Sequence, residues 1–328
     1  MSANQLEQAV LAAKTAFLFP GQGSQKVGML ADLAEQFSGV QATFAEASEA
    51  VGFDLWQIAQ SGEGLNQTEF TQPVLLTASI AMWRIWLELG GVVPKYLAGH
   101  SLGEYSALVA AGAMSLGDAV KLVNLRGKLM QDAVPQGTGA MAAILGFDDD
   151  KVIELCAQAS TLGKGSVEAA NFNAQGQVVI AGTKDAVDAV IALAKENSGK
   201  AIALPVSVPS HCSLMKPAAE KFAEALEQTA IELPRIPVIQ NVNAEIATDV
   251  AQLRQALTAQ LYESVQWTKT MQFIQDQGIQ YVAECGPGNV LANMAKRLPN
   301  IEKAFPLDST GRMEDALNAI LMAEGKIA

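Results

Sequence analysis

Gly99-His100-Ser101-Leu102-Gly103 places a serine between two glycines, with Tyr96-Leu97-Ala98 before it and the apolar run Glu104-Tyr105-Ser106-Ala107-Leu108-Val109-Ala110-Ala111 after it. The first flank reads as the end of a buried strand and the second as the opening turns of a helix. A serine on so sharp a strand-to-helix turn has its hydroxyl pushed into the open, and the glycines let the backbone take the strain. The helix N-terminus beneath it offers unpaired N–H groups to an oxyanion. Glycine-rich turns match the pattern in many unrelated settings; the strand and helix around this one point to a nucleophile.

A nucleophilic serine needs a base, and the chain has only two histidines. His100 lies inside the turn, so its side chain is expected to project away from Ser101, packed and hydrogen-bonded in the core or cleft wall. His211, in Val208-Pro209-Ser210-His211-Cys212, follows an apolar run and sits in a proline-closed loop from which it could reach Ser101. The order serine then histidine is also that of α/β-hydrolases. A hydrolase would add an Asp or Glu between the two to orient the imidazole. The acids of that interval lie mostly in a separate segment, expected to be far from the cleft.

These residues need a frame. Residues 15–19 read as a strand ended by Pro20-Gly21-Gln22-Gly23, and helical periodicity covers 29–50, 72–89 and 116–131. Such alternation predicts a mostly parallel sheet covered on both faces. The character changes at Pro135-Gln136-Gly137-Thr138-Gly139. Strands at 140–145, 167–173, 177–182 and 201–206 then alternate with helices at 149–159 and 184–197. That β-α-β-β-α-β order is the ferredoxin-like arrangement, read as a subdomain (135–206) inserted into a large domain made of 1–134 and 207–328. Beyond His211 the pattern gives a helix at 214–229, a strand at 236–242, helices at 250–262 and 268–276, a strand at 279–284 and a closing pair of helices. Residues 1–14 are expected to form a short helix or an extension.

Composition narrows the function. The chain has 328 residues, 50% hydrophobic and 17% charged, enough for a large core and suited to a compact enzyme. A net charge of −12 argues against nucleic acid as a partner. An acidic protein partner would need a local basic patch, for which Lys121, Arg126, Lys128, Lys216, Lys221, Lys269, Lys296 and Arg297 are candidates. Three widely spaced cysteines show no metal-ligand spacing and suggest reduced thiols in the cytoplasm. No run of 18 apolar residues points to a membrane.

Phe19-Pro20-Gly21-Gln22-Gly23-Ser24-Gln25, Gln72-Pro73, the Gly99–Ser106 stretch, the loop around His211 and Glu284-Cys285-Gly286-Pro287-Gly288 occur together in one order. In this the chain resembles the malonyl-CoA:acyl-carrier-protein transacylases of bacterial type II fatty acid synthesis, from about residue 15 to near the C-terminus. The resemblance implies an α/β-hydrolase-like large domain with a ferredoxin-like insert. It implies Ser101 as the acyl acceptor, His211 as its base, and the backbone N–H groups of Gln22 and Leu102 as the oxyanion hole. It assigns Arg126 to the free carboxylate of the malonyl group, which a planar guanidinium can pair bidentately and lysine cannot. It also assigns to Gln260 the orienting of His211, by a main-chain or side-chain amide oxygen. The implied reaction passes malonyl from malonyl-CoA to the phosphopantetheine thiol of acyl carrier protein, with no metal or redox cofactor, in a cytoplasmic monomer. From the serine and histidine alone, a thioesterase or a non-catalytic acyl-CoA or carrier-protein binder stays open, and so does tolerance of branched malonyl groups.

Overall fold

The computed structural model describes residues 11–327. In chain order the elements are β1 (Leu11–Phe19), α1 (Ala31–Gln36), α2 (Ser38–Val51), α3 (Leu55–Ser61), α4 (Thr68–Glu88), β2 (Val93–Gly99), α5 (Gly103–Ala110) and α6 (Leu116–Asp132). A second group follows: β3 (Gly139–Leu145), α7 (Asp149–Thr161), β4 (Val167–Ala174), β5 (Gln177–Thr183), α8 (Lys184–Glu196) and β6 (Lys200–Ala203). The chain then returns through α9 (Lys216–Gln228), β7 (Val238–Ile239), α10 (Val250–Ala259), α11 (Trp267–Asp276), β8 (Tyr281–Glu284), α12 (Val290–Ala295), β9 (Lys303–Pro306) and α13 (Thr310–Ala323).

Two sheets result. The larger is parallel throughout, in the order β7-β2-β1-β8-β9. The other is antiparallel, in the order β4-β5-β3-β6. Alternate residues of β1 go to opposite faces of the parallel sheet. Phe17 and Phe19 join the core built on α4, where Phe17 packs edge-on against Trp83 and Trp86; Ala16 and Leu18 join the other core, with Trp267, Met271 and Ile274 of α11. Both faces are therefore dry, as a parallel sheet requires. Helices cover one face of the antiparallel sheet, where Ile144, Val178 and Ile180 meet Val152 and Leu155 of α7 and Val187 and Val190 of α8; on the other face Ala170 and Ala181 pack with Cys212.

Helix α4 is buried almost all round, the signature of a helix inside the core. Pro73 lies within it and lacks the N–H that would bond the Glu69 carbonyl. Asn124 Nδ2 of α6 donates to that carbonyl instead, at 2.9 Å. One turn on, Gly127 comes so close to α4 that a Cβ there would lie 2.6 Å from the Thr68 carbonyl oxygen. This crossing sets Arg126 of α6 beside Gln72 of α4. Among the described residues no helix is long and apolar enough to cross a membrane.

Several expectations are corrected. The first strand begins at Leu11, so residues 11–14 are sheet rather than helix or extension; residues 1–10 lie outside the described part. The helix expected over 29–50 is two helices, broken where Phe37 takes an extended backbone. Helix α3 and strand β9 were not anticipated, and β9 separates the two closing helices. The strand expected over 236–242 is reduced to Val238–Ile239.

Candidate active site

Strand β2 ends at Gly99, and the chain reverses into α5 within a few residues. A Cβ on Gly99 would collide with the Gly103 carbonyl group, and one on Gly103 with the Phe19 carbonyl, so only glycine permits this crossing. Ser101 sits at its apex with φ +52°, in the left-handed region that non-glycine residues rarely occupy. Asn241 pins the turn from outside: its Oδ1 accepts from Ser101 N–H at 2.7 Å and its Nδ2 donates to the Gly99 carbonyl at 2.6 Å.

His211 also has a positive φ, +62°, and its loop is tied down by its own N–H donating to the Leu261 carbonyl. Its Nε2 lies 2.7 Å from Ser101 Oγ and its Nδ1 lies 2.6 Å from the main-chain oxygen of Gln260. A carbonyl can only accept, so Nδ1 carries the proton and Nε2 presents its lone pair to the serine hydroxyl. Burial, reinforced by the positive charge of Arg126, holds the imidazole down to a pKa of about 3. His211 is thus a neutral base.

Arg126 is 1% exposed. Its Nη1 donates to Gln72 Oε1 at 2.9 Å, and its Nη2 donates to Gln260 Oε1 at 3.0 Å and to Ser101 Oγ at 3.3 Å. The guanidinium carbon lies 5.3 Å from the centre of the Tyr105 ring. Among the described residues no carboxylate forms an ion pair with it, and its Nε has no partner. Burial accordingly pulls its pKa below the ordinary arginine value. A buried cation held only by neutral oxygens is a receptor for an anion.

The cleft in front of Ser101 encloses about 350 Å³. Its floor is Pro20–Gln22, the serine turn and Arg126; its far wall is the helix-free face of the antiparallel sheet, with Met141, Ala143, Asn171, Asn173 and Val179. His100 is part of that boundary rather than of the core. Half-buried, it stacks obliquely on Trp267 and bonds Asn173 Oδ1 through Nε2 at 2.7 Å, bridging the two sheets. Gly21 is pressed against the serine turn, a Cβ on it falling 2.5 Å from the His100 carbonyl oxygen. Beside it, the N–H of Gln22 has no acceptor among the described residues, and neither does that of Leu102. Ser101's own N–H is taken by Asn241, which leaves those two donors for an oxyanion.

The structure therefore brings Ser101, His211, Arg126, Gln260, Gln22 and Leu102 to one cleft. One expectation changes, and two are narrowed. Arg126 cannot belong to a surface basic patch, because it is buried. Gln260 orients His211 by its main-chain oxygen while its side chain serves Arg126. An acid in the interval between serine and histidine does lie at the site: Glu104 bonds Gln260 Nε2 and the Asn241 N–H. Glu104 and Asn241 escaped the sequence reading. An acid in the first turn of an otherwise apolar helix was the available signal for Glu104; Asn241 had none.

A family model for the acyl transferase domain matches residues 16–319. The malonyl CoA-acyl carrier protein transacylase of Salmonella typhimurium is 52% identical over 305 residues, which span 92% of this chain and 98% of that one. The crystal structure of FabD from Acinetobacter baumannii is 82% identical with a TM-score of 0.94, covering 95% of this chain and 99% of that one. A malonyl-transacylase solved in complex with a type II polyketide acyl carrier protein is 49% identical with a TM-score of 0.91, covering 93% and 99%. On likeness of this extent, carried by the whole fold as well as by the cleft, the chain belongs to the acyl transferase family, among its malonyl CoA-acyl carrier protein transacylases.

Proposed function

We propose that this enzyme transfers the malonyl group from malonyl-CoA to the phosphopantetheine thiol of acyl carrier protein through a malonyl ester on Ser101. The observation that carries the reading is the pairing of an activated serine with a buried arginine, 3.3 Å from its hydroxyl, that no carboxylate among the described residues pairs. In the first half-reaction Ser101 Oγ attacks the thioester carbon while His211 Nε2 takes its proton. The oxyanion is held by the N–H groups of Gln22 and Leu102. The carbon–sulfur bond breaks, and the CoA sulfur leaves with the proton from His211. The second half repeats these steps in reverse: His211 deprotonates the carrier thiol, the sulfur attacks the ester, and Ser101 recovers its proton. Thioester exchange changes no oxidation state, and one imidazole carries every proton, so the scheme calls for no metal or redox cofactor.

Arg126 selects acyl groups that end in a carboxylate, since an acetyl group would leave the guanidinium unpaired. We read residues 135–206 as a ferredoxin-like insert, supported by their strand order, and 1–134 with 207–328 as an α/β-hydrolase-like domain. The enzyme works as a cytoplasmic monomer in this reading, with the carrier protein as its transient partner. Intact-mass measurement after brief exposure to malonyl-CoA or acetyl-CoA tests it. A malonyl adduct that is absent in Ser101→Ala and discharged by carrier protein is expected. Free malonate without an adduct would make the protein a hydrolase.

A further inference from the structure

Glu104 is a carboxylate, 1% exposed, for which the scheme above has no task. Its Oε2 accepts from Gln260 Nε2 at 2.7 Å and from the Asn241 N–H at 3.1 Å, and its Oε1 has no partner. Both bonds fall on Oε2, which accepts whether or not Oε1 carries a proton, so Glu104 sets which end of the Gln260 amide faces it. The NH2 group turns to Glu104, where it also reaches the Ser101 carbonyl at 3.0 Å, and Oε1 is left for Arg126 Nη2. The opposite orientation would set oxygen against carboxylate and NH2 against guanidinium. When ionised, Glu104 thus sets a counter-charge one amide away from Arg126, near enough to favour a buried cation and too far to occupy it.

We propose that Glu104 is the positioning residue for acyl-group selection: acting through the Gln260 side chain, it keeps the Arg126 guanidinium aimed at the cleft and open to the carboxylate of a malonyl group. The proposal rests on the transfer reading above. It accounts for an acid beside the nucleophile that never touches the histidine, and for the two amide oxygens, from Gln72 and Gln260, that hold the arginine where carboxylates would have sealed it.

The test is Glu104→Gln, equal in size but neutral and able to present either end of its amide. The readout is the ratio of kcat/KM for Ser101 acylation by malonyl-CoA to that by acetyl-CoA, from quenched intact-mass time courses. The ratio is expected to fall about tenfold or more, since hydrogen bonds to charged groups are at stake, with the loss in malonyl KM and acetyl acylation nearly unchanged. A purely structural role would slow both acyl groups alike. An unchanged ratio in the folded variant, whatever the absolute rates, overturns the proposal. Glu104→Asp keeps the charge but withdraws it from Gln260 by one methylene, and covers the case in which Glu104→Gln does not fold. Its ratio is expected to fall severalfold, and an unchanged ratio overturns the proposal equally. Wild-type protein is measured first: failure to form any malonyl adduct would defeat the transfer reading itself, a result distinct from a variant that keeps its selectivity.

Discussion

The two sheets meet the same cleft in different ways. The parallel sheet is sealed by helices on both faces and reaches the cleft only through the turns at its strand ends, around Gln22 and Ser101. The antiparallel sheet is sealed by helices on one face and gives part of the other to the cleft as a wall. On the first side, backbone crossings that admit only glycine fix the serine turn, and hydrogen bonds to Asn241 and to the Gln260 carbonyl hold the serine and the histidine. On the second, apolar side chains and a few amides stand on a sheet face, with Asn171 and Asn173 where the β4–β5 register is interrupted. Chemistry that tolerates no displacement is built on over-determined turns, while accommodation of a long thioester is left to a sheet face.

The sharpest break of this contrast is Ser101→Ala, expected to lower malonyl transfer by roughly 10⁴-fold or more without loss of the fold; a residual rate within tenfold of wild type would show that the turn is not the reacting centre. Next in size, Arg126→Ala should lower malonyl turnover by about 10- to 100-fold and acetyl turnover far less. Equal losses would remove its role in selection. A change on the wall side should be milder: Asn173→Ala, which cuts the bond between the sheets, is expected to raise KM for CoA thioesters about threefold and leave kcat in place, because Asn241 holds the turn independently. A large fall in kcat would mean that the wall helps to set the chemistry.

The smallest effect is a predicted constancy. With His211 held near pKa 3, its neutral form persists far below the usual imidazole range. Sulfonylation of Ser101 in the free enzyme by an uncharged sulfonyl fluoride should therefore stay nearly flat from pH 8 to pH 5. An acid limb near 6.5 would mark an ordinary imidazole. Between about pH 3 and 6.5 the unfolded chain binds the proton that the folded chain refuses, so this contribution to stability is full above 6.5 and is lost as pH falls. Glu104, raised to about 7 by burial, acts in the opposite sense, lowering stability as pH rises from its unfolded value toward 7.

What the sequence disclosed follows from the range of the forces involved. The serine turn is a local matter of glycine placement and strand-to-helix patterning, and His211 stood out because only two histidines exist. Every strand and helix of the antiparallel region was legible from alternation, turns and helical period. Strand β9 was hidden because it is four residues long and ends in proline. The burial of Arg126 could not be read from α6 alone, since it depends on how closely α4 approaches at Gly127. The division of Gln260 between a main-chain and a side-chain task likewise exists only once three distant segments have met.

Both Ser101 and His211 occupy left-handed conformations, each costing about 1–3 kcal/mol relative to a relaxed backbone. A β-branched residue fits such a conformation worst, so threonine, though it carries a hydroxyl, is barred from the nucleophile's place, while cysteine is not. Glycine would relax either position and leave a sturdier, inert protein. Selection for thermal endurance alone would then press toward glycine at the two residues this enzyme cannot spare.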